Sequence, residues 1–263
     1  MLYQTKEDMI NDLKGIVDIH KNGVVTILDK DSFRNKIIDT LVYNAVFNKD
    51  EAVKDAARST IRNVGNNLGV VSSSIQSLYE AMGKKKYKGF TVPAINIRGL
   101  TYDVSRSIFR AAKKNHVGAF IFEIARSEIG YTDQRPAEYA AVILAAAIKE
   151  EFESPVFIQG DHFQINAKKY EKDKEGELNT IKKLIKEAVD AGFYNIDIDT
   201  STLVDLNKPN LTEQQRLNFE FAAELTAYIR TLEPKGITVS VGGEIGEVEK
   251  KNSTVEELRA FMD

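Results

Sequence analysis

Short apolar runs alternate with helical segments from residue 90 onward, and this alternation constrains the fold more than any other feature of the chain. The runs predicted as strands are residues 90–97, 117–123, 155–159, 193–199 and 237–241. A segment with helical periodicity follows each of them. Strands that alternate with helices pair in parallel through right-handed crossovers. The sequence therefore predicts an α/β fold built on a parallel sheet.

Polar residues follow these strands at the positions where each strand is expected to end. They are Asn96, Glu123, Asp161 with His162, Asp199 with Ser201, and Glu244. Because the carboxyl ends of parallel strands share one face, such a set predicts a common mouth, as at the top of a (β/α)8 TIM barrel.

A doubly wound sheet is the competing architecture, but it usually carries a G-x-G-x-x-G turn after its first strand. Residues 98–101 do not fit that turn. The chain has room for only about five βα units, whereas a (β/α)8 barrel needs about 200 to 250 residues. We therefore expect a partial barrel belonging to a longer protein, and a complete five-stranded open sheet is the alternative.

The chain before the first strand has a different character. Residues 1–88 are predicted to be mostly helical and contain no obvious site. We expect two regions, a helical N-terminal extension over residues 1–88 and a partial barrel over residues 89–263.

Composition excludes several classes of function. The net charge is −3 with acidic and basic residues interspersed, which gives no positive patch for nucleic acid. Residues 1–8 do not have the apolar core of a signal peptide, and no apolar run approaches the roughly 18 residues that span a bilayer, so we expect a cytoplasmic protein without membrane contact. Cysteine is absent, and any metal ion must therefore be held by histidine and carboxylates.

The third strand ends in the residues with the clearest chemistry. An apolar run, residues 155–158, leads through Gly160 to the adjacent Asp161 and His162. A glycine there permits close approach of another group. A carboxylate and an imidazole side by side supply a proton carrier and a metal ligand.

Four motifs resemble those of the class II (metal-dependent) fructose-bisphosphate and tagatose-bisphosphate aldolases. Residues 92–97 resemble the family's V-P-A-F-N-V opening, and residues 159–162 its H-x-D-H motif. Residues 191–201 resemble A-G-F-x-S-V-M-I-D-G-S, and residues 239–246 resemble V-S-V-E-A-E-L-G. The motifs keep their order and spacing over roughly residues 90 to 250.

The resemblance implies a (β/α)8 barrel with a catalytic Zn²⁺, usually dimeric or larger, so we expect a homo-oligomer. It implies a sugar phosphate substrate, a ketose bisphosphate cleaved through a zinc-stabilised enediolate into dihydroxyacetone phosphate and an aldehyde. Asp161 would be the proton carrier, while His162 and Glu244 would lie at the metal. Substrate-binding roles fall to Asn96, Asp199 and Ser201, and Glu247 and Glu249 are weaker candidates for proton abstraction.

Three departures from the family pattern keep two alternatives open. Gln159 stands where the family usually has histidine, Gly242 where it often has glutamate, and the other two zinc histidines follow strands that this sequence does not contain. One alternative is a sugar-phosphate epimerase or isomerase on the same barrel. The other is a non-catalytic partner subunit related to these aldolases.

Overall fold

The computed structural model describes residues 1–20, 25–246 and 252–263. They form two compact units, each assembled from separate stretches of the chain. The first comprises residues 1–73, 92–122 and 131–158, and the second comprises residues 74–91, 123–130 and 159–263. The boundary between residues 88 and 89 stays a prediction.

The N-terminal third is mostly helical, with three short strands. Its elements are α1 (Lys6–Leu13), β1 (Val17–Ile19), β2 (Val25–Ile27), α2 (Lys30–Ser32), a π-helical turn (Phe33–Ile37), α3 (Ile38–Phe47), α4 (Glu51–Leu68), β3 (Val71–Ser73) and α5 (Gln76–Gly83). β1 and β2 form an antiparallel pair. Asp50 caps α4 by accepting a hydrogen bond from the amide of Ala52, as expected of an N-cap aspartate.

The remaining chain alternates strands with helices, as predicted. Its elements are β4 (Ala94–Asn96), α6 (Thr101–Lys114), β5 (Ile121–Ala125), α7 (Arg126–Thr132), α8 (Pro136–Lys149), β6 (Pro155–Gln164), α9 (Ala167–Lys172), α10 (Lys174–Ala191), β7 (Asn195–Asp199), a 3₁₀ turn (Ser201–Leu203), α11 (Leu211–Leu232), β8 (Ser240–Gly243) and α12 (Val255–Met262). All five predicted strands are present.

The main sheet has the order β4-β5-β6-β7-β8. The pairings of β6 with β7 and of β7 with β8 are parallel. This α/β fold is consistent with part of a TIM barrel, so the predicted fold class is confirmed. β3 was not predicted; it pairs in parallel with the first residues of β6, from Val71 opposite Pro155 to Ser73 opposite Phe157.

Each unit has its own apolar core. In the first unit the rings of Phe109, Phe120, Phe122 and Phe152 stack at centroid distances of 4.8 to 5.9 Å, which is the range of favourable aromatic contacts. In the second unit the buried face of α10 follows helical spacing, and its members are Leu178, Ile181, Leu184, Ile185, Ala188 and Val189.

Side-chain caps fix the starts of two helices. The carboxylate of Asp173 caps α10 by accepting from the amide of Gly176. The last helix begins with a capping box of Thr254 and Glu257, and Glu257 is buried there.

No helix within the described ranges combines the length and apolarity needed to cross a membrane.

Candidate active site

Asp161 and His162 lie in a bulge within β6. The strand does not end near Gln159, as predicted, but continues to Gln164. Gly160 pairs with Ile196 and Phe163 pairs with Ile198, so two residues of β6 oppose the single residue between those partners on β7. A bulge of this kind re-aims side chains and is common beside active sites.

The backbone at His162 is strained, with a φ of 40°. Non-glycine residues seldom adopt this left-handed conformation, and they persist there only where the surrounding structure enforces it. Two residues earlier, the absence of a side chain at Gly160 makes room within the bulge, because a Cβ at this position would overlap the ring of Phe163. The ring of Phe163 is fully buried. The close approach predicted at Gly160 is therefore made by this ring.

Three side chains converge beside the bulge. Asp161, His162 and Asp197 each offer one ligand atom, and these atoms all lie within 4.8 Å of one another. The Nε2 atom of His162 is 3.6 Å from Oδ1 of Asp161. Two donors bound to a tetrahedral zinc at about 2.1 Å would lie roughly 3.4 Å apart. The group therefore offers donor atoms of the right type and near the right spacing for a metal ion.

Asp199 orients the imidazole from the side opposite Asp161. Its Oδ2 atom lies 3.1 Å from Nδ1 of His162 and accepts from the side-chain amide of Gln164. Its Oδ1 atom accepts from the hydroxyl of Ser201 at 2.6 Å and from the same residue's amide at 3.1 Å. Burial opposes ionisation, but these hydrogen bonds outweigh it and hold the pKa of Asp199 below its usual value.

An ionised carboxylate accepts but cannot donate, so Nδ1 of His162 must carry the proton in this contact. Nε2 is then the nitrogen that can face a metal, as in the carboxylate–histidine–metal arrangement. The hydrogen bond to Asp199 raises the pKa of His162 to about 9; burial acts to lower it, and the charges of the nearby carboxylates add to the increase.

Negative charge accumulates around this imidazole. Burial and the charges of Asp161 and Asp197 raise the pKa of Glu123 to about 7. Burial and the charge of Glu244 raise the pKa of Asp197 to about 6, and burial also raises the pKa of Glu244. Carboxylates that oppose one another's ionisation favour a bound cation, since opposite charge stabilises their charged forms.

The predicted site residues divide between the units. Asp161, His162, Asp199 and Ser201 lie together in the second unit, while Glu244 follows β8 and interacts electrostatically with Asp197 without joining the three-residue ligand group. The last residue of β4, Asn96, is half-buried and belongs to the first unit. Glu247 and Glu249 lie outside the described residues.

Asp197 was missed by the sequence analysis. It sits in the middle of β7, two residues before Asp199, and the intervening and preceding residues are isoleucines. Alternate residues of a strand face the same side, so Asp197 shares a face with Asp199. A carboxylate in the middle of a buried parallel strand was the signal that could have identified it.

Sequence comparison adds one finding to this geometry. Residues 76–262 match the family model described as fructose-bisphosphate aldolase class-II. No curated protein matches the chain.

Proposed function

This chain belongs to the class II fructose-bisphosphate aldolase family, and we propose that it is a metal-dependent lyase that cleaves or forms a ketose phosphate or bisphosphate. The observation that carries the proposal is the convergence of Asp161, His162 and Asp197, with Asp199 hydrogen-bonded behind the imidazole. Retro-aldol chemistry needs a cation at a carbonyl oxygen and a base at a neighbouring hydroxyl, and this group supplies residues for both.

The residues present fit the zinc ion that the family uses. One imidazole nitrogen and carboxylate oxygens are common zinc donors, and the mutual repulsion of the acids favours a cation. We propose that Nε2 of His162 and the carboxylate of Asp197 hold the ion, with Glu244 beside them. When bound, Zn²⁺ acts as a Lewis acid toward the negative charge that develops on the ketose carbonyl oxygen.

Position 242 supports the assignment of Asp197. The family motifs have Met at position 197 and Glu at position 242, whereas this chain has Asp197 and Gly242. The two residues are register partners on β7 and β8, and a Cβ at Gly242 would lie 2.6 Å from Oδ1 of Asp197. In this chain the carboxylate beside position 242 comes from the neighbouring strand, and the glycine leaves the space that this carboxylate occupies.

Asp161 is the proposed proton carrier. Its side chain is 16% exposed, so it is open to a substrate yet held by the bulge. In the cleavage direction it takes the proton from the hydroxyl at the bond that breaks, and in the synthetic direction it returns the proton. General-base action of this kind requires hydrogen-bond reach to that hydroxyl.

Asp199, Ser201 and Asn96 were assigned to substrate binding from the sequence. The contacts of Asp199 favour a positioning role instead, because its side chain is only 2% exposed and both of its oxygens accept hydrogen bonds from protein groups. We propose that Ser201 acts with it. Asn96 stays the proposed substrate contact from the first strand of the barrel portion.

Two other functions are compatible with membership of the same family. An epimerase or isomerase would also place a metal beside an acid, and a non-catalytic subunit would lack a working metal site. The sequence suggests a non-catalytic subunit because it contains few metal ligands, and Asp197 supplies one more.

Three further statements remain predictions. They are a homo-oligomeric state, a cytoplasmic location, and the division into an extension of residues 1–88 and a barrel portion of residues 89–263.

The proposal is tested by metal analysis and activity of the same preparation. We expect about one zinc ion per chain, as in other sites with one catalytic zinc, and cleavage of a ketose bisphosphate that is lost on chelation and restored by Zn²⁺. Zinc-loaded protein that leaves bisphosphates intact but interconverts ketoses would favour the epimerase. Protein without bound zinc and without turnover would favour the non-catalytic subunit.

A further inference from the structure

Two amide side chains interrupt the buried face of α11 in the second unit. The buried positions of this helix follow helical spacing, and they are Gln215, Asn218, Phe221, Leu225 and Ile229. The last three are apolar, whereas the first two carry amides. A buried amide without hydrogen-bond partners would destabilise the fold, so both must be bonded to other groups. We call Gln215 and Asn218 the amide pair.

The amide pair donates to the backbone that follows β8. Nδ2 of Asn218 lies 2.8 Å from the carbonyl oxygen of Glu244 and 3.3 Å from that of Ile245. Nε2 of Gln215 donates to the same Ile245 carbonyl at 2.8 Å, and Nδ2 of Asn218 donates to Oε1 of Gln215 at 2.9 Å. Because carbonyl oxygens only accept, these contacts determine which end of each amide faces the backbone after β8.

The oxygen atoms of Asn218 hold the turn that follows β7. Thr200 is fully buried, and its hydroxyl lies 2.6 Å from Oδ1 of Asn218 and 2.8 Å from the backbone carbonyl oxygen of the same residue. The preceding residue, Asp199, carries the hydrogen bond to His162. Asn218 therefore links the turn that orients the imidazole to the backbone that carries Glu244.

The carboxylate of Glu244 lies within electrostatic reach of the site. Burial raises its pKa, the charge of His162 acts to lower it, and the charges of Asp199 and Asp161 add to the increase. The strength of these interactions depends on the distances between the charges. A hydrogen bond that fixes the backbone of Glu244 therefore fixes how strongly its carboxylate acts on the ligand group.

We propose that Asn218 and Gln215 are positioning residues of the metal site, which hold the backbone of Glu244 so that its carboxylate stands beside His162 and Asp197. This inference rests on the proposed function for the identity of the bound ion. Asn218 acts through Glu244 on one side and through the turn at Thr200 on the other. The amide pair thus sets the two loops that follow β7 and β8 in one fixed arrangement.

The test compares the zinc affinity of wild type, Asn218→Ala and Leu225→Ala by equilibrium dialysis. Leu225→Ala is the matched control, because Leu225 is fully buried about two turns further along the same helix and its truncation also lowers the melting temperature. Asn218→Ala is expected to weaken zinc binding about tenfold or more, as for the loss of a partner behind a metal ligand. Leu225→Ala should change it less than about twofold, since distant sites act independently. Wild-type affinity in Asn218→Ala, or an equal loss in Leu225→Ala, would overturn the proposal.

A double-mutant cycle with Glu244→Gln tests the route by which Asn218 acts. In the Glu244→Gln background, Asn218→Ala should weaken zinc binding by less than about twofold further, because residues that act through one another are not additive. A loss as large as in the wild-type background would contradict the role of Glu244 as intermediary.

Gln215→Met keeps the proposal testable if Asn218→Ala does not fold. Methionine keeps the length of the side chain but removes the donor to Ile245 and the acceptor for Asn218. We expect zinc binding to weaken about threefold, as for the loss of one neutral hydrogen bond. Unchanged zinc affinity in Gln215→Met would overturn the proposal.

Zinc binding is measured without turnover, which separates this inference from the proposed function. If wild type binds zinc without cleaving a ketose bisphosphate and Asn218→Ala loses zinc, the positioning role stands and the lyase is wrong. If wild type cleaves the bisphosphate and Asn218→Ala keeps its zinc affinity, the lyase stands and the positioning role is wrong. Wild type that binds no zinc would contradict both.

Discussion

The Nδ1–H group of His162 donates a hydrogen bond to Oδ2 of Asp199 at 3.1 Å, and this contact determines which imidazole nitrogen can reach a metal. Because Asp199 is buried and ionised, the proton stays on Nδ1 and Nε2 faces Asp161. The chemistry proposed for the bulge in β6 therefore depends on a residue from the neighbouring strand β7.

Asp199→Asn is expected to weaken zinc binding by about 10- to 100-fold, the usual effect of losing a partner behind a ligating histidine. The amide can accept a hydrogen bond but lacks the charge that favours the required tautomer. Equilibrium dialysis against a zinc chelator measures the change. Asp190→Asn is the control, since Asp190 is an exposed residue paired with Lys186; an equal loss in both variants would contradict the role of Asp199.

Gly242→Ala should disturb the metal group without replacing any of its ligands. The new methyl group would lie 2.6 Å from Oδ1 of Asp197, so this carboxylate must move, and overpacking of this kind costs about 1–3 kcal/mol. We expect weaker zinc binding together with a lower melting temperature. Gly118→Ala is the control because a Cβ at Gly118 meets nothing within 4 Å. Unchanged zinc affinity in Gly242→Ala would argue against Asp197 as a ligand.

Glu177 should make folding stability depend on pH at the acidic end. Burial acts to raise its pKa, but the hydrogen bonds from Arg126 and Asn166 outweigh burial and lower it below the ordinary value of 4.5. The unfolded state then binds more protons than the folded state as the pH falls below that value. The contribution of Glu177 is therefore complete above about pH 4.5 and is lost as the pH falls through the folded pKa.

The matched variant is Glu177→Gln, which keeps the shape of the side chain and removes its charge. It should lower the free energy of unfolding at pH 7 by about 3 kcal/mol, because Arg126 loses its partner. Urea denaturation at a series of pH values checks both statements. If wild type and variant lose stability in parallel between pH 7 and pH 3, Glu177 does not have the lowered pKa.

The fold was largely predictable because its signals are local. Each of the five apolar runs named in the sequence overlaps an observed strand, as residues 193–199 do with β7 (Asn195–Asp199). The short strand β3 was not predicted, because three residues with little apolar periodicity give no signal of their own. It exists because β6 offers it a partner.

The site was less predictable, since it depends on register. Asp161 and His162 were identified from their types, but the bulge that presents them follows from how β6 pairs with β7. A carboxylate within an apolar strand marks Asp197 as a candidate, but its place in the metal group depends on its position opposite that bulge and on the room that Gly242 leaves for it. Sequence reasoning identifies chemical groups, whereas the pairing of neighbouring strands decides which of them meet.

The most direct test of the account is the zinc content and cleavage rate of Asp161→Asn and Asp197→Asn, measured beside wild type on the same ketose bisphosphate. Asp161→Asn should keep nearly all of its zinc and lose turnover by about 10²- to 10⁴-fold, the range for loss of a general base. Asp197→Asn should lose both zinc and turnover. Full turnover in Asp161→Asn, or undiminished zinc in Asp197→Asn, would contradict the division of roles between proton carrier and ligand.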